Sequence, residues 1–103
     1  MLLLKKTFAI RDSVTYIAIM NSKHKKTLSV VFGKPTSGTI DWADIEALLI
    51  AAGVEVVEGS GSRVRFRKGD ETEIFHRPHP GKEAKRYQVK AARDFLIRIG
   101  VTP

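Results

Sequence analysis

The sequence predicts a single α+β domain in the order α-β-β-β-α, with two helices packed on one face of a three-stranded antiparallel sheet. Three observations predict it. Apolar residues recur at helical spacing over 41–52 and again over 83–99, as half-buried helices require. Between them, three short segments alternate polar and apolar residues and are separated by glycine-containing turns, the pattern of adjacent antiparallel strands. The chain has 103 residues, 43% of them hydrophobic, which supplies one core and not two.

Taken in chain order, residues 1–19 share no pattern with the rest of the chain, and Met20 opens Met-Asn-Ser-Lys-His-Lys-Lys as a natural start would. The expectation is that 1–19 is an extension outside the domain. The alternative is an additional strand, since Val14, Tyr16, Ile17 and Ile19 are strand formers. Residues 20–40 read as a short helix over Lys23–Phe32 and a breaker segment over Gly33–Gly38, with His24 in a lysine-rich, mobile stretch. The domain proper is expected over 41–103.

The first long helix covers 41–52, with Thr39 or Asp41 as its cap and Gly53 at its C-terminal end. Trp42, Ile45, Leu48, Leu49 and Ala52 form its core stripe. Strands follow at Val54–Glu58, Ser62–Lys68 and Glu71–Arg77, the last two joined by a turn at Gly69-Asp70. If Val64 and Phe66 point inward, then Arg63, Arg65 and Arg67 share the opposite face, with Glu55 and Glu73 expected among them as cross-strand partners. Pro78-His79-Pro80-Gly81 stops the sheet. The closing helix is expected from Glu83 to Ile99, ending at Gly100. Its core face is read as Tyr87, Ala91, Phe95 and Ile99, helped by Ala92 and Leu96. Arg86, Lys90 and Arg93 line a second face, with Lys82 and Lys85 at the entrance.

The 18 Lys and Arg exceed the 11 Asp and Glu by seven, a surplus that favours polyanionic partners. The absence of cysteine excludes disulfides, thiolate nucleophiles and cysteine-based zinc sites. The three histidines lack an evident set of carboxylate co-ligands, so neither a metal nor a cofactor is expected. No apolar run approaches the roughly 20 residues that span a bilayer. Leu2–Leu4 is cut off by Lys5-Lys6, unlike a signal peptide, whose charges come first. A cytoplasmic location and no membrane partner are the expectations.

An α-β-β-β-α unit with a basic last helix is the arrangement of double-stranded RNA-binding domains, which contact the RNA backbone and 2′-hydroxyls. The expected RNA surface comprises Ser62, Arg65, Arg67, Lys82, Lys85, Arg86, Lys90 and Arg93. More specific are three runs: Gly-Ser-Gly-Ser-Arg-Val-Arg-Phe over 59–66, Phe-His-Arg-Pro-His-Pro-Gly-Lys-Glu over 75–83, and Phe-Leu-Ile-Arg-Ile-Gly-Val over 95–101. Together they resemble the HicA family of toxins, and the likeness spans residues 41–101. The start at Met20 and the pair Asp41-Trp42 resemble a HicA subgroup with a longer N-terminus.

The resemblance implies an mRNA interferase, a ribonuclease that cleaves mRNA, held inactive by a HicB antitoxin. It also implies a Gly-Ser-His motif whose histidine is catalytic, and here this chain departs: it has Gly61-Ser62-Arg63. Metal-free RNA cleavage needs a base for the 2′-hydroxyl proton and an acid for the leaving oxygen, work suited to histidine. Arginine stays protonated and cannot be that base, although it can grip a phosphate and stabilise its developing charge. Arg63 therefore replaces part of the missing function. His79, in the second family signature, is the first choice for proton transfer, and His76 the next. His24 is set aside. Two rival readings stand beside the ribonuclease: an RNA-binding module silenced by Arg63, and a protein whose basic face serves only an acidic antitoxin.

Overall fold

The helices and strands expected over residues 20–103 all form. The computed structural model describes residues 20–103, so the expectations for 1–19 lie outside the described residues. Helix α1 (Ser22–Val31) is capped by the Asn21 side chain, which accepts from the His24 amide at 2.8 Å. His24 thus sits in the first turn of a capped helix and not in a loose stretch. Leu28 and Val31 from α1 are buried.

Helix α2 (Trp42–Ala51) buries Trp42, Ile45, Leu48 and Leu49 of the expected stripe, and the fifth, Ala52, is buried at its C-cap. Asp41 occupies its N-cap position, but the carboxylate turns toward Lys82, 3.8 Å away, and makes no capping bond. The chain leaves α2 through Gly53 in the left-handed region (φ +85°), which lets the Val54 amide reach back to the Leu49 carbonyl at 3.0 Å.

Strands β1 (Glu55–Glu58), β2 (Arg63–Lys68) and β3 (Glu71–His76) form an antiparallel sheet in the order β1-β2-β3. Val64, Phe66 and Phe75 point to one face. There Trp42 meets Phe66 and Phe75 with ring centroids 6.1 and 5.1 Å apart, and the two phenylalanines meet at 5.4 Å. Helix α3 (Arg86–Arg98) adds Val89, Ala92, Phe95 and Leu96 to the same core. Both long helices lie on one side of the sheet, as the sequence predicts, and among the described residues the other side is left uncovered.

Three further details differ from expectation. Helix α3 starts at Arg86 because residues 82–84 run extended beside 40–42. The Trp42 amide donates to the Lys82 carbonyl at 2.9 Å, and the Ala84 amide donates to the Ile40 carbonyl at 2.8 Å. Second, the four-apart row Tyr87, Ala91, Phe95, Ile99 does not face the core throughout. A step of four residues overshoots one turn by about 40°, so the row slants around the helix. Phe95 is buried while Tyr87 emerges 65% exposed. Third, Glu73 faces Phe66 in the register and so lies on the covered side. There it pairs with Arg98 at 3.3 Å, next to the Arg98–Glu71 contact at 2.8 Å.

One ionic cluster ties the end of β3 to the rest. The Arg77 guanidinium donates to both Glu46 oxygens (3.0 and 2.9 Å) and both Glu58 oxygens (2.7 and 2.8 Å). Glu46 also accepts from the Trp42 indole at 2.9 Å. The hydrogen bond from Arg77 lowers the Glu58 carboxyl below its ordinary value of 4.5, and the two carboxylates raise Arg77 in turn. A depressed carboxyl in the folded state means that folding disfavours its proton. Its stabilising effect is therefore complete above pH 4.5 and is lost as pH falls through the folded value. Glu58→Gln should lower the melting temperature at neutral pH, and the gap from the native chain should close as the solution is acidified below 4.5. Thermal melts over pH test this; a gap unchanged down to about pH 3 would refute the assignment.

Candidate nucleic-acid interface

The uncovered side of the sheet is built by alternation. Arg63, Arg65 and Arg67 project there from β2, because Val64 and Phe66 are taken by the core. Cross-strand register then fills in their neighbours. Arg63 faces His76, Arg65 faces Ile74 on one side and Val57 on the other, and Arg67 faces Thr72 and Glu55. The Arg77 amide donates to the Ser62 carbonyl at 2.8 Å. The next position, Arg63–His76, therefore falls at a non-hydrogen-bonded pair, where facing Cα atoms approach to about 4.5 Å and side chains lie closest.

The turn before β2 holds Arg63 in place. The Arg63 amide donates to the Ser60 carbonyl at 3.1 Å, and its own carbonyl accepts from the Gly59 amide at 2.9 Å. A side chain at Gly59 would begin 3.3 Å from Arg63 Cβ and Cγ, so glycine leaves the arginine its space. Ser62 is exposed in this turn.

Charge on the uncovered side is unevenly committed. Arg67 is paired with Glu55, its Nη2 and Nε lying 2.7 and 3.1 Å from the same carboxylate oxygen. Among the described residues, Arg63 and Arg65 have no acidic partner. They stand beside the exposed Ile74 and the half-buried Val57. His79 is exposed in the segment after β3, between Pro78 and Pro80. The register therefore brings His76 opposite Arg63, while His79 lies three residues past it, beyond the strand. Among the described residues no three His, Asp or Glu side chains gather as metal ligands would, and no helix is long and apolar enough to cross a membrane.

The cations expected on and just before α3 lie on the helix-covered side of the sheet and divide into two kinds. Arg93 donates to the Val31 carbonyl at 3.0 Å and to the Thr36 hydroxyl at 3.1 Å. Arg86 reaches the Thr36 carbonyl at 3.3 Å and lies so close over Gly38 that a Cβ there would be 2.8 Å from its Cζ. These two arginines hold the 33–38 segment against the helix. Lys85 and Lys90 are exposed and form no ion pair among the described residues, and the Lys82 ammonium lies 3.8 Å from the Asp41 carboxylate. The expected RNA surface is thus split between the sheet face and the outer side of α3.

Sequence reasoning missed the exposed Ile74 on the sheet and the exposed Tyr87 and Ile97 on α3. Ile74 is signalled by strict alternation, since Phe75 beside it is the inward residue. Tyr87 is signalled only when helix rotation is followed at its true pitch.

Comparison with known proteins found a match between residues 42–101 and the family described as "HicA toxin of bacterial toxin-antitoxin". No curated protein and no solved structure matches the chain. The matched region runs from the first residue of α2 through the closing turn after α3 and so contains the whole sheet. More than half of the chain is covered, and the chain belongs to the HicA family of toxins from bacterial toxin–antitoxin systems.

Proposed function

We propose that this toxin is a metal-independent endoribonuclease that cleaves mRNA, works in the cytoplasm and is held inactive by a HicB-type antitoxin. The observation that carries the reading is the pairing of Arg63 with His76 on an uncovered face that also presents Arg65. Arg63 grips the scissile phosphate and offsets charge on the pentacoordinate phosphorus. His76, beside it, takes the proton of the 2′-hydroxyl, whose oxygen attacks phosphorus. His79 returns a proton to the departing 5′-oxygen, and a cyclic phosphate remains on the upstream fragment. Arg65, Lys82, Lys85 and Lys90 hold flanking phosphates, with Ser62 at the edge of the turn. Arg67, Arg86 and Arg93 contribute chiefly through the protein contacts they already make. A basic face with Ile74 and Val57 between its arginines also suits an acidic antitoxin that displaces RNA.

Replacement of the family histidine by Arg63 favours one second reading, a module that binds RNA without cutting it. A fluorescent RNA cleavage assay separates the two. His76→Ala and His79→Ala should each cut the rate by about 100-fold with RNA affinity nearly unchanged, while Arg63→Ala should damage both. Turnover that survives both histidine changes within about threefold would remove them from the chemistry. An inactive native chain that still binds RNA would establish the binding module.

Salt dependence tests the phosphate contacts. Log affinity for RNA should fall linearly with log salt, and replacing Arg65, Lys85 and Lys90 together by Ala should flatten the slope by about two units. An unchanged slope would mean that these cations only meet solvent.

A further inference from the structure

We propose that Tyr87 is a stacking platform for an unpaired base next to the Arg63–His76 site, so that the RNA taken by this chain is single-stranded there. The inference rests on the RNA-cleavage reading and adds the form of the substrate. Among the described residues, every Phe and Trp ring is buried or half-buried, whereas Tyr87 is 65% exposed. It makes no hydrogen bond or ring contact with any described residue. An aromatic ring left in water on a folded surface is the kind of group that a nucleobase covers.

Its position is tied to the reacting face. The next residue, Gln88, donates from its side chain to the His76 carbonyl at 2.7 Å. The first turn of α3 is thereby held against the strand end that carries His76, and Tyr87, one residue before Gln88, is exposed in that turn. Lys90 lies one turn further along α3, and Lys85 stands just before it, both exposed and without an ion pair among the described residues. Cations spaced along a strand with a free ring between them suit a single-stranded backbone and its turned-out base. In a duplex both faces of each internal base are already stacked, and the contacts made are to phosphates and 2′-hydroxyls, which a tyrosine ring serves poorly.

The test uses the full chain and an unstructured RNA of about 12 nucleotides, long enough for a typical single-strand site, with 2′-O-methyl groups to prevent cleavage. Affinity is measured by fluorescence anisotropy for this strand and for the same strand annealed to its complement. The native chain should prefer the single strand. Tyr87→Ala should weaken single-strand binding by about 10-fold, within the range of base–aromatic stacking, and leave duplex binding unchanged. Tyr87→Phe should bind as the native chain does. Circular dichroism confirms that each variant is folded, as the exposure of the ring leads one to expect. Single-strand affinity of Tyr87→Ala within about twofold of native, or an equal loss on strand and duplex, would overturn the stacking role alone. A native chain with no affinity for either RNA would overturn the ribonuclease reading along with it.

Discussion

The buried amide of Gln88 is the contact on which the arrangement of this domain turns. Its oxygen accepts from the Lys85 amide at 3.0 Å and its nitrogen donates to the His76 carbonyl at 2.7 Å. A buried amide with a partner at each end is stable, and one deprived of either leaves a costly unsatisfied group. Gln88 therefore fixes where α3 begins, how the helix is rotated about its axis, and how close its first turn lies to β3. The rotation places Val89, Ala92, Phe95 and Leu96 in the core, and the same rotation turns Tyr87 outward.

The arginines show how little of a basic composition is available to a ligand. Arg67, Arg77 and Arg98 are engaged by carboxylates, and Arg86 and Arg93 by backbone carbonyls or a threonine. Five cations thus serve the fold, where a count of charges assigns them to the surface. What remains on the sheet, Arg63 and Arg65, stands next to apolar side chains and one histidine. The surplus charge is real, but its useful part is concentrated in a few residues.

Much of this was legible in the sequence because it depends on local periodicity. Alternation along β2 fixed which residues face the core, and the glycines after both long helices fall where the chain must turn. The Arg63–His76 pairing was legible too, since the two-residue loop Gly69-Asp70 sets the register of the hairpin. The Pro-His-Pro signature instead gave His79 the greater weight. The remaining differences are non-local. Nothing in residues 82–84 announces that they will lie beside 40–42, and nothing near Arg93 announces a partner in α1. The side of the sheet taken by Glu73 follows from counting inward from Phe75, and its partner Arg98 comes from a helix that the strand sequence does not contain.

The Arg93 contact also bears on the order in which the chain acquires structure. A helix of α1's length, 10 residues, is marginal in isolation, and its last carbonyls need donors from outside the helix. Here a donor for the Val31 carbonyl comes from a residue 62 positions later in the chain. The end of α1 and the segment after it therefore gain their full set of hydrogen bonds only after the closing helix has docked. Loss of that docking would free the end of α1 and the segment after it together, so their amides are expected to exchange along with those of α3 despite the separation in the chain.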